Sequence, residues 1–231
     1  MDGFSLVDYG ALAFFVASWL GYHVAVEVLP AGRGSLNKLM DEHRRGWMEQ
    51  MLSRDMRIID TTIMASLQNG TAFFASTSLL AVGGVLTLLA STDAALTLFA
   101  DLPFGVSTSR VAWELKVIGL AVLFVYAFFK FAWAYRLFNY AAILLGAVPM
   151  ASAADQPGAR AAAARAAAMN VVAGRHFNRG QRAFFFALAY LGWFISAYLF
   201  FATTAAVLWV MWRRQFASDA VEALGDLPRP S

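Results

Sequence analysis

Four apolar stretches, each close to or beyond the thickness of a bilayer, constrain this chain more than any motif in it. They cover about residues 6–29, 70–90, 111–133 and 183–212. A helix rises 1.5 Å per residue, so about 20 apolar residues cross a hydrocarbon core of about 30 Å. In water all four would need burial, and 231 residues offer too little polar surface for that. Hydrophobic residues make up 60% of the chain and charged ones 14%, against about 25% charged in an average soluble domain. That balance excludes a disordered chain and argues against a soluble enzyme. The expectation is an all-α, polytopic helical membrane protein. It is read as a single membrane domain over residues 1–231, with four transmembrane helices and helical cytoplasmic extensions over about 34–69 and 134–176.

Loop charges orient the spans, because Lys and Arg stay on the cytoplasmic side. Twelve of the 18 Lys and Arg lie in two connections, Arg33 to Asp60 and Arg136 to Arg182. The stretch between the second and third spans holds only Arg110 and Lys116. The N-terminus has Asp2 and Asp8 and no basic residue, so the first span reads as retained and not as a signal peptide. Both crowded connections are therefore expected inside and both termini outside. Arg213 and Arg214 after the last span disagree mildly, but Asp219, Glu222 and Asp226 follow them.

The third segment is too long for one crossing. From Val111 to Met150 a helix would run about 60 Å. Placing the span at about 111–133 lets Lys130 snorkel at the inner boundary, beside Trp133 and Tyr135. The apolar stretch Leu137 to Met150 then continues below the membrane and needs a cover. In the first connection Trp47, Met48, Met51, Leu52, Ile58 and Ile59 recur at helical spacing between charges. No Pro breaks the chain from Leu36 to Ala90, so one helix, bent at Gly70, is expected to cross the membrane and run beneath it. It would pack against Leu137, Ile143 or Leu144, unless it lies on the bilayer surface. Asp155 and Pro157 read as the start of another helix, the Ala-rich run after Gly158 as its body, and Gly174 as its stop. Pro103 and Gly105 mark the outer loop.

The runs RRGWMEQMLSRDMRIIDT (Arg44 to Thr61), GTAFFASTS (Gly70 to Ser78), RLFNYAAILLGAVP (Arg136 to Pro149) and FNRGQRAFFFALAYLGWF (Phe177 to Phe194) resemble a family of small bacterial membrane proteins. It is the family numbered five-nine-nine in the domain-of-unknown-function series, and the resemblance covers nearly the whole chain in order. It implies an integral membrane protein with about four spans and supplies no catalytic residues to carry over. Such a chain is expected in the bacterial inner (plasma) membrane, multi-pass, with both termini periplasmic.

The candidate chemistry is sparse. His23 and Glu27 share one face of the first span, and Lys130 is expected at the same depth on the third. A structural ion pair between Glu27 and Lys130, with His23 nearby, competes with a proton or ion pathway and, less well, with a metal. Ser76, Thr77 and Ser78 on the second span either line a pore or serve helix contacts. Arg175, Asn178, Arg179 and Arg182 form an expected cytoplasmic corner, with Asn178 capping a helix that starts there. That corner would meet Asp55 and Asp60, lipid headgroups or a small anion. No HExxH, GxxxxGK[ST], GxSxG or GxGxxG is present. No catalytic residue, metal site or cofactor is therefore expected, nor any nucleic-acid partner. Two functions compete. One is a homo-oligomeric, channel-like or transport protein in the lipid bilayer. The other is an accessory or scaffold subunit of a larger membrane complex.

Overall fold

The computed structural model describes residues 3–29, 34–101, 108–153 and 158–225. Pro30, Arg33, Pro103, Gly105, Asp155 and Pro157, on which several expectations rest, lie outside the described residues. The regular structure among those described is all helical. The helices are α1 (Leu6–Glu27), α2 (Leu36–Gln50), α3 (Ile58–Ala90), α4 (Thr92–Ala100), α5 (Arg110–Gly146), α6 (Ala159–Tyr190), α7 (Ala197–Phe216) and α8 (Asp219–Gly225). Three of them, α1, α3 and α5, are long and apolar enough to cross a membrane. The chain forms two compact units. One comprises Met1–Gly32, Thr77–Ala127 and Gln181–Arg214, the other Arg33–Ser76, Phe128–Gly180 and Gln215–Ser231.

The first unit is built on aromatic rings. Ser5 and Asp8 close a capping box at the start of α1, each side chain bonding the other's backbone N–H. The buried face of α1 then runs Ala11, Phe15, Ser18, Tyr22 and Val26, one side of a 3.6-residue period. Phe15 meets Phe186, Tyr190 and Phe200 within 5.6 Å, and Trp19 stacks on Phe186. These contacts order the helices. Along α1 from Asp8 to Glu27 the partners on α6 and the turn after it descend from Trp193 through Phe186 to Arg182, so α1 and α6 are antiparallel. The partners on α7 ascend from Phe200 to Met211, so α1 and α7 are parallel.

The stretch expected as one span over 183–212 is therefore a hairpin. Helix α6 ends at Tyr190, a 3-10 turn covers Leu191–Phe194, and α7 returns from Ala197. The Thr203 hydroxyl donates to the Ala189 carbonyl at 2.7 Å, pinning the two arms together. Gly192 makes the reversal sterically feasible. A Cβ there would fall 2.6 Å from the Thr203 hydroxyl and 3.1 Å from the Leu199 carbonyl.

The second unit is built differently. Its core gathers Met48, Met51, Leu52 and Met64 with Leu137, Phe138, Ala141 and Leu145 and the alanine face of α6. Several expectations are corrected here. The chain from Leu36 to Ala90 is two helices, because Met51–Ser53 forms a 3-10 turn and Arg54 is extended. The turn rotates α3 relative to α2, so Ile58 and Ile59 are exposed, as is Ile143. Gly174 does not stop α6, and Asn178 does not start a helix, since α6 runs unbroken to Tyr190. Both glycines of that stretch are contact points instead. The Arg44 guanidinium lies over Gly174, and the Phe131 ring sits 2.8 Å from where a Gly180 Cβ would be.

Candidate functional site

At one end of the first unit α1 and α6 bring three polar side chains together. Arg182, only 4% exposed, donates to Glu27 Oε1 at 3.0 Å and meets His23 Nδ1 at 2.9 Å. A guanidinium has donors only, so His23 Nδ1 accepts, and the neutral ring carries its proton on Nε2. Glu27 Oε1 lies 3.3 Å from that same Nδ1. The Arg182 guanidinium also covers the Tyr22 ring at 5.2 Å, where a desolvated cation gains from the ring quadrupole. The Tyr22 hydroxyl donates in turn to the Met211 carbonyl.

The opposite end carries a second polar set. The Trp193 indole donates to Asp8 Oδ1 at 2.7 Å, and buried Lys116 donates to the Trp193 carbonyl at 2.8 Å. Its ammonium also lies 5.3 Å from the Trp193 ring centre. Between the two ends the interior is the ring cluster of Phe15, Trp19, Phe186, Tyr190 and Phe200.

Two of the expected residues meet a third. His23 and Glu27 meet Arg182, which the sequence had assigned to the cytoplasmic corner. Lys130 belongs to the second unit, with Arg175, Asn178 and Arg179. There Arg175 donates to buried Asp41 at 3.0 Å, and Arg44 lies 3.6 Å from the same carboxylate. Burial pushes the Arg44 guanidinium below its ordinary value, and Asp41 beside it works against that shift. Asp60, fully buried, accepts from the Trp47 indole at 2.6 Å and from Arg54 on one oxygen. Arg57 donates to the carbonyls of Val148 and Pro149 just past the end of α5, where a cation satisfies orphan acceptors. The Gln68 amide donates to Asn139 at 2.7 Å.

The hydroxyl set on α3 does not form one face. Ser78 is buried, Thr77 half-buried and Ser76 exposed. Thr71, further back, donates to its own helix at the Leu67 carbonyl.

Sequence reasoning missed Asp8, Lys116 and Asp41. The signal for Lys116 was available: a lysine inside an apolar helix is a site until shown otherwise, yet it was counted as a loop charge. Asp41 carried no signal, being one acid in a charged amphipathic run.

Comparison with known proteins gives one match. The family described as protein of unknown function, DUF599, covers residues 10–220. The chain belongs to that family, and its apolar helices fit a membrane protein. No curated protein and no solved structure matches it.

Proposed function

We propose that the chain is a five-pass protein of a bacterial inner (plasma) membrane that acts as a homo-oligomer. Any transported species would pass between copies and not through one chain. The observation that carries this reading is the filled interior of the first unit. Stacked rings separate Lys116 and Asp8 at one end from His23, Glu27 and Arg182 at the other. Only 11% of the most apolar stretch of α3 is buried, and it turns Ser76, Gly83, Gly84 and Thr87 outward. Outward small residues let helices approach closely in lipid. The second reading, an accessory subunit of a larger membrane complex, uses the same face for a different partner. Neither reading requires catalysis.

The α6–α7 hairpin supports a revised topology. With the N-terminus outside, a fifth crossing leaves the C-terminus inside, which removes the conflict over Arg213 and Arg214. Because the chain has no cysteine, Ser5→Cys and Ala217→Cys each give a single label site. An impermeant reagent on intact cells should modify the first and spare the second, and the opposite pattern would sink the topology.

Assembly is tested in nanodiscs by mass photometry. The wild type should form oligomers that Gly83→Leu with Thr87→Leu disperses, without lowering the melting temperature of the single chain in detergent. A monomeric wild type in bilayers defeats the proposal. Ion flux into liposomes then separates transport, which raises it over empty vesicles, from a scaffold, which does not.

A further inference from the structure

The second unit contains a half-open cavity of about 480 Å³ between α2 and α6. Its size falls in the range of about 300–1,000 Å³ typical of small-molecule sites. The α6 wall is one helical face: Arg160, then Ala163 and Ala164, Ala167 and Ala168, Val171 and Val172, then Arg175. At 1.5 Å per residue that wall is about 22 Å long, apolar along its length and cationic at each end. Helix α2 adds Arg45 and Glu49, and Leu52 follows. The alanines create the space, since a one-carbon side chain cannot fill the gap to α2. Three guanidinium groups thus face the cavity against one carboxylate.

The arginines are not consumed by the fold. Neither Arg45 nor Arg160 has an ion-pair partner among the described residues. Arg175 is held by its Nε on Asp41, which is 3% exposed. Among the described residues its two terminal nitrogens have no partner. A planar donor fork fixed from behind by a buried carboxylate suits a carboxylate or phosphate. An apolar floor running away from such a fork suits a hydrocarbon chain. A simple inorganic anion would leave the alanine and valine face unused.

We propose that this cavity binds an anionic amphiphile, a phosphate or carboxylate headgroup bearing an acyl chain. The Arg175 fork holds the head, and the Ala–Val face of α6, leading away toward Arg160, holds the chain. The site lies wholly within one unit and does not depend on the oligomeric or transport reading.

The test is binding of lysophosphatidic acid to the full-length protein in detergent, read by native mass spectrometry. Lysophosphatidylcholine and inorganic phosphate serve as comparison probes. Lysophosphatidic acid should bind at least tenfold more tightly than either. Arg175→Gln should weaken it by about tenfold, and Arg160→Gln, at the far end of the floor, by much less. Ala164→Leu with Ala168→Leu, both at exposed positions, should fill the floor and abolish binding without changing the melting temperature. Equal retention of the two lysolipids would overturn the role of the Arg175 fork. Phosphate binding as tightly as lysophosphatidic acid would overturn the role of the floor. Repeating the titration in nanodiscs distinguishes the source. If bilayer lipid supplies the ligand, phosphatidylglycerol discs block the probe and phosphatidylcholine discs do not. If neither disc blocks it, the amphiphile arrives from solution.

Discussion

The two units stabilise buried polar groups in contrasting ways, although the three longest helices contribute to both. In the first, charges gather at the two ends and rings fill the space between. In the second, charges are distributed through the unit: Asp41 and Asp60 are buried beside arginines, and Arg57 reaches backbone carbonyls. Aromatic packing excludes polar groups from the middle of a unit. Methionine and alanine packing leaves gaps, and arginine stems with charged ends occupy their margins. A unit of the first kind suits a hydrocarbon surrounding, where internal charge is expensive. A unit of the second kind suits an aqueous boundary, where long arginines remain partly solvated.

The largest effects should come from stranding a buried charge, and the stranded charge has opposite sign in the two units. In the first unit the more buried partner is the cation, Arg182 at 4% against Glu27 at 18%. In the second it is the anion, Asp60 at 0% against Arg54 at 37%. Removing the more exposed partner leaves the other uncompensated, at a cost of about 3–5 kcal/mol. Glu27→Gln should therefore lower the melting temperature more than Glu27→Gln combined with Arg182→Met. Arg54→Met should likewise cost more than Arg54→Met combined with Asp60→Asn. Additive losses in either cycle would mean that the pair is not coupled there.

How far the sequence reaches depends on the same contrast. Helical class and the three long apolar helices were legible because apolar length is a one-dimensional property. The α6–α7 hairpin was not, since 183–212 is apolar throughout and Gly192 is its only mark. Yet its 30 residues would span about 45 Å, well beyond a core of about 30 Å, the same excess that exposed the third segment. Among site residues, His23 and Glu27 were legible from spacing on one helix. The pairing of Arg182 with them was not, because these partners are over 150 positions away and its local context, between Arg179 and the apolar run, reads as a loop end. Gly174 was misread because a glycine that ends a helix and one that admits a neighbour look alike in sequence.

Contact glycines give the next effect in size. Ala at Gly180 would press on three atoms of the Phe131 ring at 2.8–2.9 Å, and that ring is fully buried between Phe74 and Phe177. Overpacking of this kind costs about 1–3 kcal/mol. In the first unit Ala at Gly192 meets the Thr203 hydroxyl and the Leu199 backbone, so a similar loss is expected, with the hairpin loosened. Thermal melts of Gly180→Ala and Gly192→Ala in detergent check both. An unchanged Gly192→Ala would mean that the arms of the hairpin stand further apart.

The smallest effect should have the reverse sign and comes from glycines that meet nothing. A Cβ at Gly83 or Gly84 finds no atom within 4 Å, and α3 is continuous there. In a helix interior Gly is about 0.8–1.0 kcal/mol less favourable than Ala. Gly83→Ala and Gly84→Ala should each therefore raise the melting temperature slightly in detergent. The gain should be measurable only where α3 is free of a second chain. In bilayers the proposed oligomer brings another backbone against this face, and added methyl groups would hold the helices apart. The same substitutions should then stabilise the detergent-solubilised chain and weaken the assembly. Stabilisation in both settings would place the contact on another face of the protein, and destabilisation in detergent would mean that α3 is packed against something within the chain itself.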